Sequence, residues 1–185
     1  MHTGSSWRGT RSRARRRLRG WICAIVALVC LSGGATSTSA LNVTSLLDKN
    51  APEFARTGLD GGEVDLASYR GKVVLLNFWA TWCAPCQVEM PVFAAWQRQF
   101  GPRGLQVIGI SMDDHAGPVR RLAARMKIDY PIVMGDAKLG ERYGGVLGLP
   151  LTYLIDRKGV VRAEFQGETD LKAMEARLTA LLAQH

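Results

Sequence analysis

The chain has 185 residues, enough for one ordinary domain and a short additional segment, and its 47% hydrophobic content is normal for a globular protein that buries a core. The formal charge of +8 belongs to one end: seven of the 24 Lys and Arg lie within residues 1–20, where there is no acid, leaving 17 basic against 16 acidic residues elsewhere. Composition therefore gives no basic patch in the folded part and argues against nucleic acid as a partner.

The first element is an export segment. Arg8, Arg11, Arg13, Arg15, Arg16, Arg17 and Arg19 precede an apolar run from Trp21 to Leu31, and small and polar residues follow as far as Thr38-Ser39-Ala40. A positive start, a short apolar stretch and a small-x-Ala end describe a secretory signal. The run is shorter than the ~18 residues of a membrane span, yet an uncleaved anchor stays open beside a cleaved signal. In either form the basic residues stay cytoplasmic and the domain crosses the membrane. A lipid attachment at Cys30 is poorly matched, because Val29 stands where a small residue is wanted, and the flanks of Arg16-Arg17 fit twin-arginine export poorly. Residues 1–40 are read as signal or anchor and 41–185 as one domain, without repeats or low-complexity tracts.

Residues 41–70 form a lead-in in which Asn50-Ala51-Pro52 and Asp60-Gly61-Gly62 are turn signals, the second marking a short hairpin. Lys72 to Ala80 (KVVLLNFWA) is a nearly continuous apolar run, as expected of a strand buried on both faces. From the cysteines to about Phe100 the pattern turns helical, with Met90, Phe93, Trp96 and Phe100 in one stripe. Leu105–Met112 reads as a second buried strand, 116–127 as a helix with Val119, Leu122, Ala123 and Met126 on one face, Tyr130–Met134 as a short strand, and 136–143 as a helical turn. Leu151–Ile155 and Val160–Phe165 are paired strands about the turn Asp156-Arg157-Lys158-Gly159, and Thr169–Leu182 is a closing helix. This succession predicts an α/β fold with a mixed central sheet and helices on both faces.

Cys23 and Cys30 fall in the apolar export run, so the domain retains only Cys83 and Cys86. A disulfide framework in a small secreted fold uses more cysteines at wider spacing. Structural zinc wants four ligands, and the histidines are only His2, His115 and His185. Met112, His115 and Met134 form a weak copper pattern, but Met at strand ends and a single loop His are more often packing and solvent, so no metal or other cofactor is expected. What remains is redox chemistry at Cys83-Ala84-Pro85-Cys86. A buried strand delivers Cys83 to a helix start, where unpaired N–H groups and the helix dipole favour a thiolate, so Cys83 is the expected nucleophile. Cys86, one turn on and less exposed, is the expected resolving thiol, and Pro85 is tolerated because the first turn does not use its N–H.

FWATWCAPC followed by Glu89-Met90-Pro91, APEF at 51–54, GLPLTYLID at 148–156 and Lys158-Gly159 resembles the TlpA-like (ResA-like) thiol–disulfide oxidoreductases of the thioredoxin superfamily, over residues 50–182. The resemblance implies a thioredoxin-like fold with an extra helix and strand at 114–135, a periplasmic or otherwise extracytoplasmic place, and reduction of disulfides in exported proteins, as in cytochrome c or copper-protein assembly, with a membrane thiol donor. It implies a cis bond at Pro150, exposing the backbone of Leu149 to a bound substrate. Glu89 matches an acidic residue near the site, placed to exchange the proton of Cys86. Asn77 stands where thioredoxins carry a buried aspartate. Trp82 is read as a lining of the partner groove, with a place in the core, usual for an aromatic beside a buried strand, as the open alternative. Leu151 departs from the acidic residue typical of the cytochrome c branch and is expected to make the site's edge apolar. Two alternatives stay open: a peroxidase, although such enzymes want Thr three residues before the nucleophile and Thr81 is two before Cys83, and a copper-assembly module holding Cu(I) through Cys83 and Cys86.

Overall fold

The computed structural model describes residues 45–184; the export segment read at 1–40 lies outside them. The seven residues Val73–Trp79 (β3) are all buried, which is what a run of β-branched and large apolar side chains broken only by Asn77 achieves in the middle of a covered sheet. On one side β3 pairs in parallel with β4 (Leu105–Ser111), and β4 pairs in parallel with β5 (Ile132–Met134). On the other side it pairs antiparallel with β6 (Leu151–Ile155), which turns back into β7 (Val161–Gln166). The strand order is therefore β5-β4-β3-β6-β7, a mixed five-stranded sheet. A separate hairpin, β1 (Ala55–Thr57) and β2 (Glu63–Asp65), turns through Asp60-Gly61-Gly62, where Gly61 adopts a φ of 89° that a side chain would resist.

Alternation along the strands divides the interior in two. Val73, Leu75 and Trp79 face one core with α1 (Ala84–Phe100), α2 (Ala116–Arg125) and α4 (Leu171–Leu182); both cysteines belong to it. Val74, Leu76 and Phe78 face the other, filled by the lead-in residues Leu46, Ala51 and Phe54, the hairpin residue Val64, and Leu139 and Tyr143 at α3 (Ala137–Arg142). The predicted stripe of α1 is the one buried: Met90, Phe93, Trp96 and Phe100.

Helix ends differ from the sequence expectation by one or two residues, for local reasons. α2 stops at Arg125 rather than 127 because Lys127 takes a φ of 54° and Ile128 N–H returns to Ala123 O at 3.0 Å, a left-handed end that closes the last carbonyls. α4 starts at Leu171 rather than Thr169 because the Asp170 carboxylate accepts from Lys172 N and Ala173 N, making Asp170 the cap.

The lead-in protects the outer edges of the sheet. Leu59 N donates to Ile132 O and Gly58 bridges Val133, so the hairpin tip lies along β5. Asp48 N donates to Val161 O and Val161 N to Lys49 O, which covers the start of β7. Unpaired strand edges are templates for aggregation, and both are blunted here by residues that precede the sheet in sequence.

Gly109, in the middle of β4, leaves room for two aromatic side chains. A Cβ at this position would lie 3.0 Å from Trp79 Nε1, 3.3 Å from Tyr130 Cε2 and 3.3 Å from Ile132 Cγ1. Gly109→Ala is expected to destabilise the fold by about 1–3 kcal/mol through overpacking, read as a lower midpoint in urea denaturation; an unchanged midpoint would show that Trp79 and Tyr130 make way freely.

Candidate active site

β3 ends at Trp79, and four residues separate it from the start of α1 at Ala84. Between them Cys83 N donates to Ala80 O at 3.1 Å, closing a turn, while Met112 N donates to Trp79 O at 2.8 Å and ties the junction to the end of β4. Cys83 is the N-cap of α1: its backbone is extended, and its Sγ accepts the Cys86 N–H at 3.3 Å. In most helices a Ser, Asp or Asn oxygen occupies that place. Here it is a sulfur, so in the reduced protein a thiolate would meet an N–H and the positive end of a 17-residue helix, the setting that lowers a thiol pKa.

Cys83 and Cys86 are joined as a disulfide, with Cα atoms 5.3 Å apart. Cys83 is 5% exposed and Cys86 is fully buried, so Cys83 is the less enclosed residue of the pair. Trp82 beside them is 71% exposed. Across the sheet, the β3–β6 register pairs Phe78 with Leu151, and its continuation brings Pro150 level with Trp79 at the end that carries the cysteines. The Leu149–Pro150 bond is cis. Pro150 O accepts from Gly167 N at 2.8 Å, whereas among the described residues the main-chain N–H and C=O of Leu149 have no partner.

Leu151 has a different place from the one expected. It does not form the edge of the site: it is 2% exposed and packs in the core on the far face of the sheet from the cysteines. Strand alternation turns its side chain away, a matter of parity that the X-Pro-X pattern does not reveal.

Glu89, on α1 three residues past Cys86, is only 3% exposed, and among the described residues neither carboxylate oxygen has a hydrogen-bond partner. Burial pushes its pKa from 4.5 up to about 7; the backbone and hydroxyl of Thr169, near but not in aligned hydrogen bonds, pull it partly back, and the charge of Glu168 adds to the rise. Asn77 is buried on the same side, its Nδ2 donating to Thr152 Oγ1 at 2.9 Å and its Oδ1 left without a partner. Trp79 Nε1 and the Tyr130 hydroxyl are also buried and unpartnered. Burial, with the charges of Asp129 and then Glu89, raises the Tyr130 pKa further, so this hydroxyl stays protonated.

Met112 and Met134 pack against opposite cores and His115 is exposed, so these three do not converge. Among the described residues no group of three or more His, Cys, Asp or Glu is arranged to hold a metal ion.

A cluster absent from the sequence reading grips the turn before Cys83. Asp113, just past β4, accepts the Thr81 N–H at 2.9 Å and the Thr81 hydroxyl through its two carboxylate oxygens, and also the Ser111 hydroxyl at 2.8 Å. From the opposite direction Gln87 Nε2 donates to Thr81 O at 2.8 Å. The available signal was positional: Asp113 follows a buried parallel strand at its carboxyl end, where α/β sheets gather functional side chains.

A sequence model of the AhpC/TSA family matches residues 47–164. The thiol-disulfide oxidoreductase ResA of Bacillus cereus is 30% identical over 156 residues, covering 82% of this chain and 90% of that protein. The thioredoxin-like protein YneN of Bacillus subtilis is 35% identical over 133 residues, 70% of this chain and 77% of the relative. Among solved structures, a thiol:disulfide interchange protein of the thioredoxin family from Chlorobium tepidum superposes with a TM-score of 0.67 at 29% identity, over 72% of this chain and 96% of that one.

The buried carboxylate predicts a pH dependence of stability. Because its folded-state pKa is raised, the folded chain binds the Glu89 proton more tightly than the unfolded chain does. Stability from this group is complete below about pH 4.5 and is lost as pH rises through about 7. Glu89→Gln cannot ionise. The disulfide form of this variant should exceed the parent by on the order of 2 kcal/mol near pH 8 and differ from it by less than about 1 kcal/mol near pH 5 in urea denaturation. A constant difference across that range would mean that Glu89 is not the titrating group.

Proposed function

Because the chain belongs to the AhpC/TSA family and to the ResA-like thiol–disulfide oxidoreductases of the thioredoxin superfamily, we propose that it works outside the cytoplasm as a reductant of disulfides in exported proteins, with Cys83 as nucleophile and Cys86 as resolving thiol. The observation that carries this reading is the placement of Cys83 Sγ at the N-cap of α1 against the Cys86 N–H, with Cys83 the less buried of the two residues.

The Cys83 thiolate attacks one sulfur of the target disulfide. A mixed disulfide forms and the other target sulfur leaves as a thiolate. Cys86 then loses its proton to the Glu89 carboxylate and attacks Cys83 Sγ. This forms the Cys83–Cys86 disulfide and releases the second target sulfur, so that two electrons have passed from the protein dithiol to the target. A carboxylate with a pKa near 7 is matched to this step, since it is basic enough to take a thiol proton and acidic enough to return it. A membrane thiol donor re-reduces the pair, and no bound cofactor enters either half of the cycle.

The unpaired backbone of Leu149 supports a docking role: an extended target segment would pair with it as an added strand. Pro150 would form the floor of that site and the exposed Trp82 ring its wall. The arginine-rich start and short apolar run of residues 8–31 support export, with the segment either cleaved or kept as an anchor. Disulfides of proteins in cytochrome c or copper-protein assembly are the substrate class we favour. The engagement of the Thr81 hydroxyl by Asp113 weighs against a peroxidase that would use this residue on peroxide.

Cys83→Ser should reduce insulin reduction by dithiothreitol-primed protein to background, and retained turnover would rule out Cys83 as nucleophile. Cys86→Ser should accumulate a mixed disulfide on Cys83 that survives non-reducing electrophoresis and can be identified by mass spectrometry. Glu89→Gln should slow turnover by about ten- to a hundred-fold near pH 7 while the first attack, followed as mixed-disulfide formation in the Cys86→Ser background, keeps its rate.

A further inference from the structure

Thr81, two residues before the nucleophile, has every polar group of its peptide unit held by a side chain. Its N–H and its hydroxyl go to the two carboxylate oxygens of Asp113, and its carbonyl accepts from Gln87. Asp113 is itself anchored: the Ser111 hydroxyl donates to its carboxylate, and Asp113 N donates back to Ser111 Oγ at 3.2 Å. Ser111 is fully buried and is paired with Trp79 in the sheet register, so the anchor is part of the β3–β4 ladder.

The arrangement spans the junction on which the dithiol depends. Asp113 extends from the end of β4; Gln87 extends from the first turn of α1, one residue past Cys86. Between them lies the turn Ala80–Cys83, closed by the bond from Cys83 N to Ala80 O. A shift of Thr81 would rotate this turn and move Cys83 Sγ off the Cys86 N–H that it accepts. A charged acceptor taking three donors is stronger than the neutral bonds of an ordinary loop. A strand-to-helix connection needs no such device to fold, because the surrounding ladder and helix supply the stability. Exact placement of the sulfur does need one, since the preference of a helix start for a thiolate falls off within the first turn.

We propose that Asp113 is a positioning residue for the dithiol centre: acting through Thr81, and opposed by Gln87 across the same residue, it fixes the turn that holds Cys83 Sγ at the helix start and so sets the reactivity of the reduced Cys83. The inference rests on the reading of Cys83 as nucleophile. It assigns Asp113 no contact with substrate and no proton transfer.

The test uses the reduced protein and the variants Asp113→Ala, Thr81→Val and Thr81→Ser. Each is titrated by the pH dependence of iodoacetamide alkylation, with the modified cysteine located by mass spectrometry, and each is equilibrated with glutathione. Asp113→Ala should raise the midpoint of Cys83 alkylation by about half a pH unit, the misplacement of Sγ outweighing the opposite effect of removing a nearby anion, and Thr81→Val, which leaves that anion in place, should raise it by at least as much. Both should shift the glutathione equilibrium about three- to ten-fold toward the protein disulfide, because a less stabilised thiolate makes the reduced form less favourable. Thr81→Ser, which keeps the hydroxyl and the N–H, should restore the parent's values. Loss of stability alone would move neither the midpoint nor the equilibrium of the folded protein. Alkylation at Cys83 with parental midpoints in Asp113→Ala and Thr81→Val would overturn the positioning role alone; first alkylation at Cys86 would overturn the nucleophile assignment as well. If Asp113→Ala does not fold, identical profiles for Thr81→Val and Thr81→Ser overturn the proposal, and a rise confined to Thr81→Val sustains it.

Discussion

The hydrogen bond from the Cys86 N–H to Cys83 Sγ is the contact to which the rest of the molecule is fitted. A helix start leaves backbone donors unsatisfied, and most proteins meet them with oxygen. With sulfur in that place, the stability of the helix end and the chemistry of the thiol become one property. The bond holds only if the strand before it and the helix after it keep a fixed relation. β3 is locked in height by β4 and β6 on its two sides, and α1 is locked in rotation by Met90, Phe93, Trp96 and Phe100 against the sheet. The turn between them belongs neither to the strand ladder nor to the helix, and it is the part that receives the bonds of Asp113 and Gln87.

The same core that presses α1 onto the sheet also encloses polar atoms without partners. Among the described residues Glu89, Trp79 Nε1, Asn77 Oδ1 and the Tyr130 hydroxyl are all buried and unpaired. Protein interiors normally satisfy such groups, because each orphan costs about 1–3 kcal/mol. The hydrophobic cores on the two faces of the sheet offset that cost. For Glu89 the result is a carboxyl group that changes charge near neutrality rather than in acid. A fully hydrogen-bonded carboxylate in the same position would remain an anion through the neutral range.

The lead-in residues act at a distance from this chemistry but make it durable. By covering the outer edge of β5 with the hairpin tip and the start of β7 with Asp48–Asn50, they keep a sheet with two parallel pairings from presenting open edges. They also supply Ala51, Phe54 and Val64 to the core opposite the cysteines, so that β3 is buried on both faces and cannot shift.

The local pattern of the sequence was sufficient for much of this. The run Val73–Trp79 required a central strand, the stripe from Met90 to Phe100 required a helix packed on it, and two cysteines at the joint required a capped, reactive sulfur, because periodicity and capping depend on neighbours within a few residues. Glu89 could be placed on the face of Cys86 by the same spacing. The depth of its burial depended on what α4 and the sheet put over it, and so did its raised pKa. Leu151 shows the limit most directly: it is one residue from Pro150, yet the strand's parity carries it into the opposite core. Asp113 and Thr81 are 32 residues apart, and neither has a local feature that names the other. Their pairing exists because β4 lies beside β3 with Ser111 against Trp79, a register set by the packing of the whole sheet. The sequence by itself determined the elements and the reactive pair, since those arise from short-range geometry; the tertiary structure decided which distant side chains surround that pair, since long-range contacts follow from how the elements pack.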